Sequence, residues 1–180
     1  VEDSLKKRYL YKLSAKVVGL PIGLIIAAIV PRALGVNAYG NFNFITDSFV
    51  TLVGFVDTGT SAAFYMKLSQ RLKEPTLIRF YWGFFAVMSV ILGFFVATIF
   101  MINKQGSIWI DQEPRFIWLG LLWGLLYWLN QIVYKIVDAY GLTVKSELAV
   151  IKKNFIGLCL LSGVFILGKL SLLIFFFYYY

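Results

Sequence analysis

Histidine is absent from this chain of 180 residues, and cysteine occurs once. Without an imidazole, the side chain that most often serves as a neutral-pH base or metal ligand is missing. The single thiol, Cys159, cannot close a disulfide within the chain. It stands in an apolar run and reads as a small buried residue. Charge is scarce as well. Asp, Glu, Lys and Arg make up 14% of the chain, against about 25% in soluble domains. Acids are scarcest: 9 Asp and Glu stand against 17 Lys and Arg, for a net charge of +8. So few charges cannot cover a soluble surface, which excludes an ordinary cytosolic enzyme and a disordered tail. No metal or cofactor is expected.

What fills the chain instead is apolar. Hydrophobic residues reach 60%, aromatics 18%, and mean hydropathy is +0.79. The apolar residues fall into continuous runs, roughly twice as long as the alternating strands of about 10 residues in a membrane barrel. A helix needs about 20 residues to cross the roughly 30 Å hydrocarbon core. The pattern predicts an all-α polytopic membrane bundle of about five to six helices. Spans are expected at 13–31, 42–66, 79–102, 116–135 and 152–168, with a further span starting at 170–180. All belong to one transmembrane domain, 1–180, with no linker inside it. A basic flank before a short apolar core also fits a cleaved signal peptide. The further spans make an uncleaved first helix the simpler reading. Gly168-Lys169 reads as a tight turn. The Phe run and Tyr run that close the chain carry no polar flank, as expected of an incomplete chain.

The basic residues are clustered between apolar runs, which fits membrane topology better than a nucleic-acid face. With the N-terminus inside, Lys6, Lys7, Arg8, Lys12, Lys16, Lys67, Arg71, Lys73, Arg79, Lys135, Lys145, Lys152 and Lys153 all fall on the cytoplasmic side. Only Arg32, Lys104, Arg115 and Lys169 fall outside. The positive-inside rule selects that orientation. Trp82, Trp109 and Trp118 lie near span ends, where indoles sit at headgroup level. Trp123 and Trp128 lie deeper, as packing residues.

Several residues stand out for function. Asp47 and Asp57 are the acids inside a predicted span, and intramembrane ionisable residues are functional candidates. Their faces differ by roughly 80° on an α-helix, so both can line one broad polar wall. They read either as a proton or cation coupling site or as hydrogen-bonded structural carboxylates. Lys16, at the start of the first span, is a further cavity candidate. Pro21, between Gly19 and Gly23, is expected to bend the first helix. Asn130 and Gln131 read as interhelical glue.

Three stretches carry a resemblance. Ile29-Val30-Pro31-Arg32-Ala33-Leu34-Gly35-Val36-Asn37-Ala38-Tyr39-Gly40 resembles the first outer corner of the polysaccharide flippases in the multidrug/oligosaccharidyl-lipid/polysaccharide exporter superfamily. Asp57-Thr58-Gly59-Thr60-Ser61-Ala62-Ala63 is similar to the family's end of the second helix, rich in Gly and small residues. Asp138 to Glu147 is similar to its loop between helices four and five. Within the superfamily, the O-antigen flippases of the Wzx type are most similar. The resemblance covers nearly the whole chain as the N-terminal portion of such a protein. It implies the first lobe of a two-lobe transporter working by alternating access. The implied substrate is an oligosaccharide on undecaprenyl diphosphate, moved across the bacterial inner membrane. The implied partners are that substrate, bilayer lipids and candidate proteins of polysaccharide assembly, with no nucleic acid. Arg32 then contacts the anionic substrate or snorkels at the corner. Pro21, Gly35, Tyr39, Gly40 and Gly59 take structural roles. A cation-coupled drug exporter, a membrane-bound enzyme of polysaccharide assembly and a nonfunctional truncated product are the alternatives.

Overall fold

The computed structural model describes residues 4–70, 74–102, 108–109, 112–168 and 171–179. Among them the chain is helical throughout: α1 Leu5–Leu34, α2 Val36–Asp57, α3 Thr60–Gln70, α4 Pro75–Met101, α5 Pro114–Ala139, α6 Thr143–Ile166 and α7 Leu172–Tyr179. α1, α4, α5 and α6 are each long and apolar enough to cross a membrane. α2 reaches that standard only together with α3, as a pair bent by 57°. This is the architecture of a multi-pass membrane protein.

Local chemistry sets the helix ends. Ser4 caps α1, its hydroxyl accepting from the Lys7 N–H at 3.4 Å. Proline opens α4 and α5 at Pro75 and Pro114, where the missing N–H costs nothing. Gly35 alone separates α1 from α2, with φ of +82°. That left-handed conformation favours a residue without Cβ.

The helices outrun the apolar stretches. The expected spans 13–31 and 116–135 lie inside α1 and α5, because helix continues through the polar flanks, and 152–168 starts well inside α6 and runs two residues past its end. The stretch 135–153 is therefore not a loop: only 140–142 separate α5 from α6, and Lys135, Lys145, Lys152 and Lys153 are helical. The expected span 42–66 is not one helix either, since it breaks at Thr58 and Gly59. Pro21 and Pro31 both lie inside a continuous α1. Gly40 belongs to α2, so Gly35 makes the corner without it. Gly168 turns after α6 with φ of +63°. The predicted positions Arg71, Lys73, Lys104, Lys169 and Tyr180 lie outside the described residues.

Contacts divide the chain into two compact units, 1–42 with 140–180, and 43–139. No polar linker marks the division, because one boundary falls inside α2 and the other at the α5–α6 turn. In the first unit α1 packs along α6. Phe42 sits against Phe175 and Phe176 of α7, with ring centroids 4.7 and 4.8 Å apart. Cys159 is exposed rather than buried. It shares the outer side of α6 with Phe155, Ile156 and Leu160, which are exposed as well.

In the second unit α5 is the hub. It buries Ile117, Gly120, Leu121, Gly124, Trp128 and Ile132, one face at helical spacing. Gly120 and Gly124 admit α2: a Cβ on Gly124 would lie 2.9 Å from the Phe49 Cβ and 3.2 Å from its carbonyl oxygen. A Cβ on Gly120 would run into Ile45 and Phe49. Small residues let membrane helices approach this closely. Trp128 packs edge-on near Phe84 and Phe85 of α4, at 6.1 and 5.1 Å. Its N–H meets no oxygen or nitrogen acceptor among the described residues. Trp109 is buried against protein rather than exposed near a span end. It is 2% exposed and stacks on Phe49 at 5.5 Å.

Candidate functional site

Two features of α2 gather most of the polar chemistry in the second unit. One is the break that ends it. Thr58 and Gly59 adopt φ of +35° and +83°. A β-branched residue at positive φ is strained, and such strain persists only where neighbouring structure imposes it. Asp57 supplies the imposition. Its Oδ1 accepts from the Thr60 hydroxyl at 2.8 Å, the Ser61 N–H at 2.9 Å and the Tyr81 hydroxyl at 3.2 Å. Its Oδ2 accepts from the Ser61 hydroxyl at 2.6 Å. A carboxylate at the start of α3 also complements the positive end of that helix.

Lys135 of α5 donates to the same Ser61 hydroxyl oxygen. About one turn further, the Tyr65 hydroxyl donates to Asp138 at 3.4 Å. α3 is thus tied to α5 at two successive levels. Ser61 and Tyr81 are buried, at 3% and 4% exposed. The network joins Asp57, Ser61 and Lys135 in one chain, an acid and a base bridged by a hydroxyl.

The second feature is the face of α2 that α5 does not cover. Phe42, Ile45, Thr46, Phe49 and Val53 are buried. Asp47, Thr51, Gly54 and Thr58 are exposed, with Ser48 half-buried beside them. Asp47 stands near the middle of α2 and opens on a cleft of about 520 Å³. Phe44, Ser48, Thr51, Leu52, Phe95, Ile108 and Trp109 line the rest of it. α4, in the same unit, presents Phe80, Val87, Val90, Ile91 and Phe94 outward. α4 therefore shows aliphatic and aromatic groups to its surroundings, whereas α2 shows a carboxylate and hydroxyls interleaved with the exposed rings of Phe44 and Phe55.

No family model, characterised protein or solved structure matches this chain.

The structure places the sequence candidates as follows. Asp47 and Asp57 do not share a site: one opens on the cleft, the other caps α3. Arg32 is exposed in the last turn of α1. Lys16 is exposed at one end of a groove on α1. Gly59 makes the α2–α3 break, and Gly35 the α1–α2 corner. Tyr39 is half-buried on α2, and Pro21 is exposed on α1. Asn130 and Gln131 are exposed on α5 rather than set between helices. Sequence reasoning missed Tyr81 and the roles of Ser61, Tyr65, Lys135 and Asp138. One signal pointed to Lys135: it is the first charge after the uncharged run 116–134.

Proposed function

We propose that this chain forms one lobe of a flippase for an oligosaccharide on a polyprenyl diphosphate, in a bacterial inner membrane, with its N-terminus cytoplasmic. One observation carries the reading: Asp47, Ser48 and Thr51 lie on the face of α2 that α5 does not cover, in a helix that together with α3 is long and apolar enough to cross a membrane. An ionised side chain facing hydrocarbon there costs about 2.5–3.5 kcal/mol on insertion scales. That face belongs against water or a polar cargo, not against lipid tails. The cleft beside Asp47 offers a carboxylate, hydroxyls of Ser48 and Thr51, and the exposed rings of Phe44 and Phe95. Hydrogen-bonding groups beside aromatic faces suit a sugar, whose hydroxyl edges and C–H faces alternate. The three sequence stretches described above support the same reading.

Arg32 is assigned to the anionic part of the cargo. In the protein carrying this chain, Arg32→Ala is expected to lower surface glycan display with membrane abundance unchanged, and Arg32→Lys to retain more activity. Normal display by Arg32→Ala returns Arg32 to a snorkelling role.

The water-facing wall has its own test. In a Cys159→Ser background, a thiol at Thr51 is expected to react with a membrane-impermeant maleimide, and one at Val90 to stay unlabelled. Equal protection of both would place the α2 face against lipid or protein and remove the cavity. The same reagent applied from the periplasm reports orientation. A cysteine at Gln112 should label and one at Ser69 should not; the reverse pattern inverts the topology.

A further inference from the structure

We propose that the cleft beside Asp47 recognises a protonated amine on the cargo glycan, so that the sugar it takes is an amino sugar rather than a neutral one. The inference rests on the reading of this chain as part of a glycan flippase and names the group that the cleft selects. Three elements of the second unit build the cleft. α2 supplies Phe44, Asp47, Ser48 and Thr51, α4 supplies Phe95, and the segment 108–109 supplies Trp109.

Charge selects the occupant. Asp47 carries the only charge among the described residues that line the cleft. It is exposed, and it has no ion-pair or hydrogen-bond partner among the described residues. The basic residues described in this unit are engaged or placed elsewhere. Arg115 pairs with Glu113, and Lys135 donates to Ser61. Lys67 lines a different cleft. Arg79 stands near the start of α4, about 24 Å of helix away from Phe95. An unpaired carboxylate in a membrane-crossing segment is costly. A cationic ligand removes that cost, and a neutral one does not.

Hydrogen bonding points the same way. The Ser48 hydroxyl donates to the Phe44 carbonyl at 2.6 Å, which leaves it only lone pairs to offer a ligand. Asp47 adds the acceptor oxygens of its carboxylate. An ammonium group donates and does not accept, so it matches this set. Sugar hydroxyls do both, and gain less from the negative charge. Phe44 and Phe95 are 44% and 46% exposed, and aromatic rings attract a desolvating cation. Trp109 is 2% exposed and held by its stack on Phe49. Its indole N–H has no acceptor among the described residues, which leaves it for a sugar oxygen. One ring bearing an amine and hydroxyls therefore finds a partner for each.

The test is equilibrium binding to the purified full chain in nanodiscs of zwitterionic lipid, at mildly acidic pH. The probes are the trisaccharide of glucosamine, its N-acetylated counterpart and methylammonium. Wild type is expected to bind the amine trisaccharide about fivefold tighter than the N-acetylated one, the size of an exposed ion pair joined by a cation–π contact. Asp47→Asn should abolish that preference and leave affinity for the N-acetylated probe unchanged. Asp47→Glu should keep most of it, and Phe95→Leu should lower it in part. An unchanged Tm for Asp47→Asn separates lost recognition from lost fold. Equal affinity of wild type for the two trisaccharides, or a preference that survives Asp47→Asn, overturns the amine and leaves the glycan reading intact. Binding of neither trisaccharide overturns both. Methylammonium bound as tightly as the amine trisaccharide overturns the sugar and gives the cleft to simple organic cations.

Discussion

Asp57→Ala should be the most damaging single change at the α2–α3 break. The carboxylate accepts from four donors, and alanine leaves each to find another acceptor in a partly desolvated place. Hydrogen bonds to a charged group contribute about 1.5–3 kcal/mol each where water is excluded. Asp57 is only half-buried, which lowers the net loss to about 2–3 kcal/mol for the set. For a chain of this size that corresponds to a fall in Tm of roughly 4–12 °C. Thr58 loses its restraint at the same time, so α3 should swing from its 57° setting. Asp57→Asn keeps one acceptor oxygen and should fall between. Asp47→Asn, on an exposed face, should leave Tm unchanged. Unfolding followed by tryptophan fluorescence in detergent checks all three. A Tm for Asp57→Ala within 1–2 °C of wild type, on the order of 0.5 kcal/mol, would mean the network holds nothing. Lys135→Met completes a cycle: the two changes share Ser61, so their effects should not add.

The α2–α5 crossing gives the other large effect. Gly124→Leu must displace Phe49 at its Cβ and its backbone carbonyl, neither of which can swing away. Overpacking of that kind costs about 1–3 kcal/mol and often more where backbone must move. Gly120→Leu meets Ile45 and Phe49, which can give only by disturbing the Phe49–Trp109 stack. Both variants are expected to lower the yield of monodisperse protein several-fold. Gly83→Leu is the matched control, because a Cβ there meets nothing within 4 Å. Size-exclusion profiles of fluorescent fusions read the difference directly. Indistinguishable profiles for Gly124→Leu and Gly83→Leu would mean that α2 does not approach α5 there.

Much of the helix content was legible from the apolar runs, because a continuous run in a charge-poor chain has few other ways to satisfy its backbone. Gly35 and Gly168 were legible as turning points, since each stands at a change of pattern. The bend at Thr58 was not. Asp57, Thr60 and Ser61 are neighbours in sequence, but Tyr81 and Lys135 complete their network from far along the chain. Periodicity carries no information about such partners. Trp109 was assigned to an interface by its position near a span end, whereas packing against Phe49 decides its burial. Cys159 erred the other way: in a membrane protein an apolar neighbourhood in sequence does not imply an interior place.

The dependence of α2 on α5 reaches back to how the chain is made. α2 by itself is less apolar than the four helices that could each cross a membrane alone, and its contact glycines lie on a helix that begins only at Pro114. A ribosome delivers α2 before α4 and well before Gly120 and Gly124. During that interval Ile45 and Phe49 lack their final neighbours on α5, and Asp47 gives the segment little reason to stay in lipid. The nascent segment must wait in the shelter of the insertion machinery, or on the membrane surface, until α5 arrives. Variants that slow synthesis of α5 should therefore lose protein to degradation without changing any contact in the finished fold.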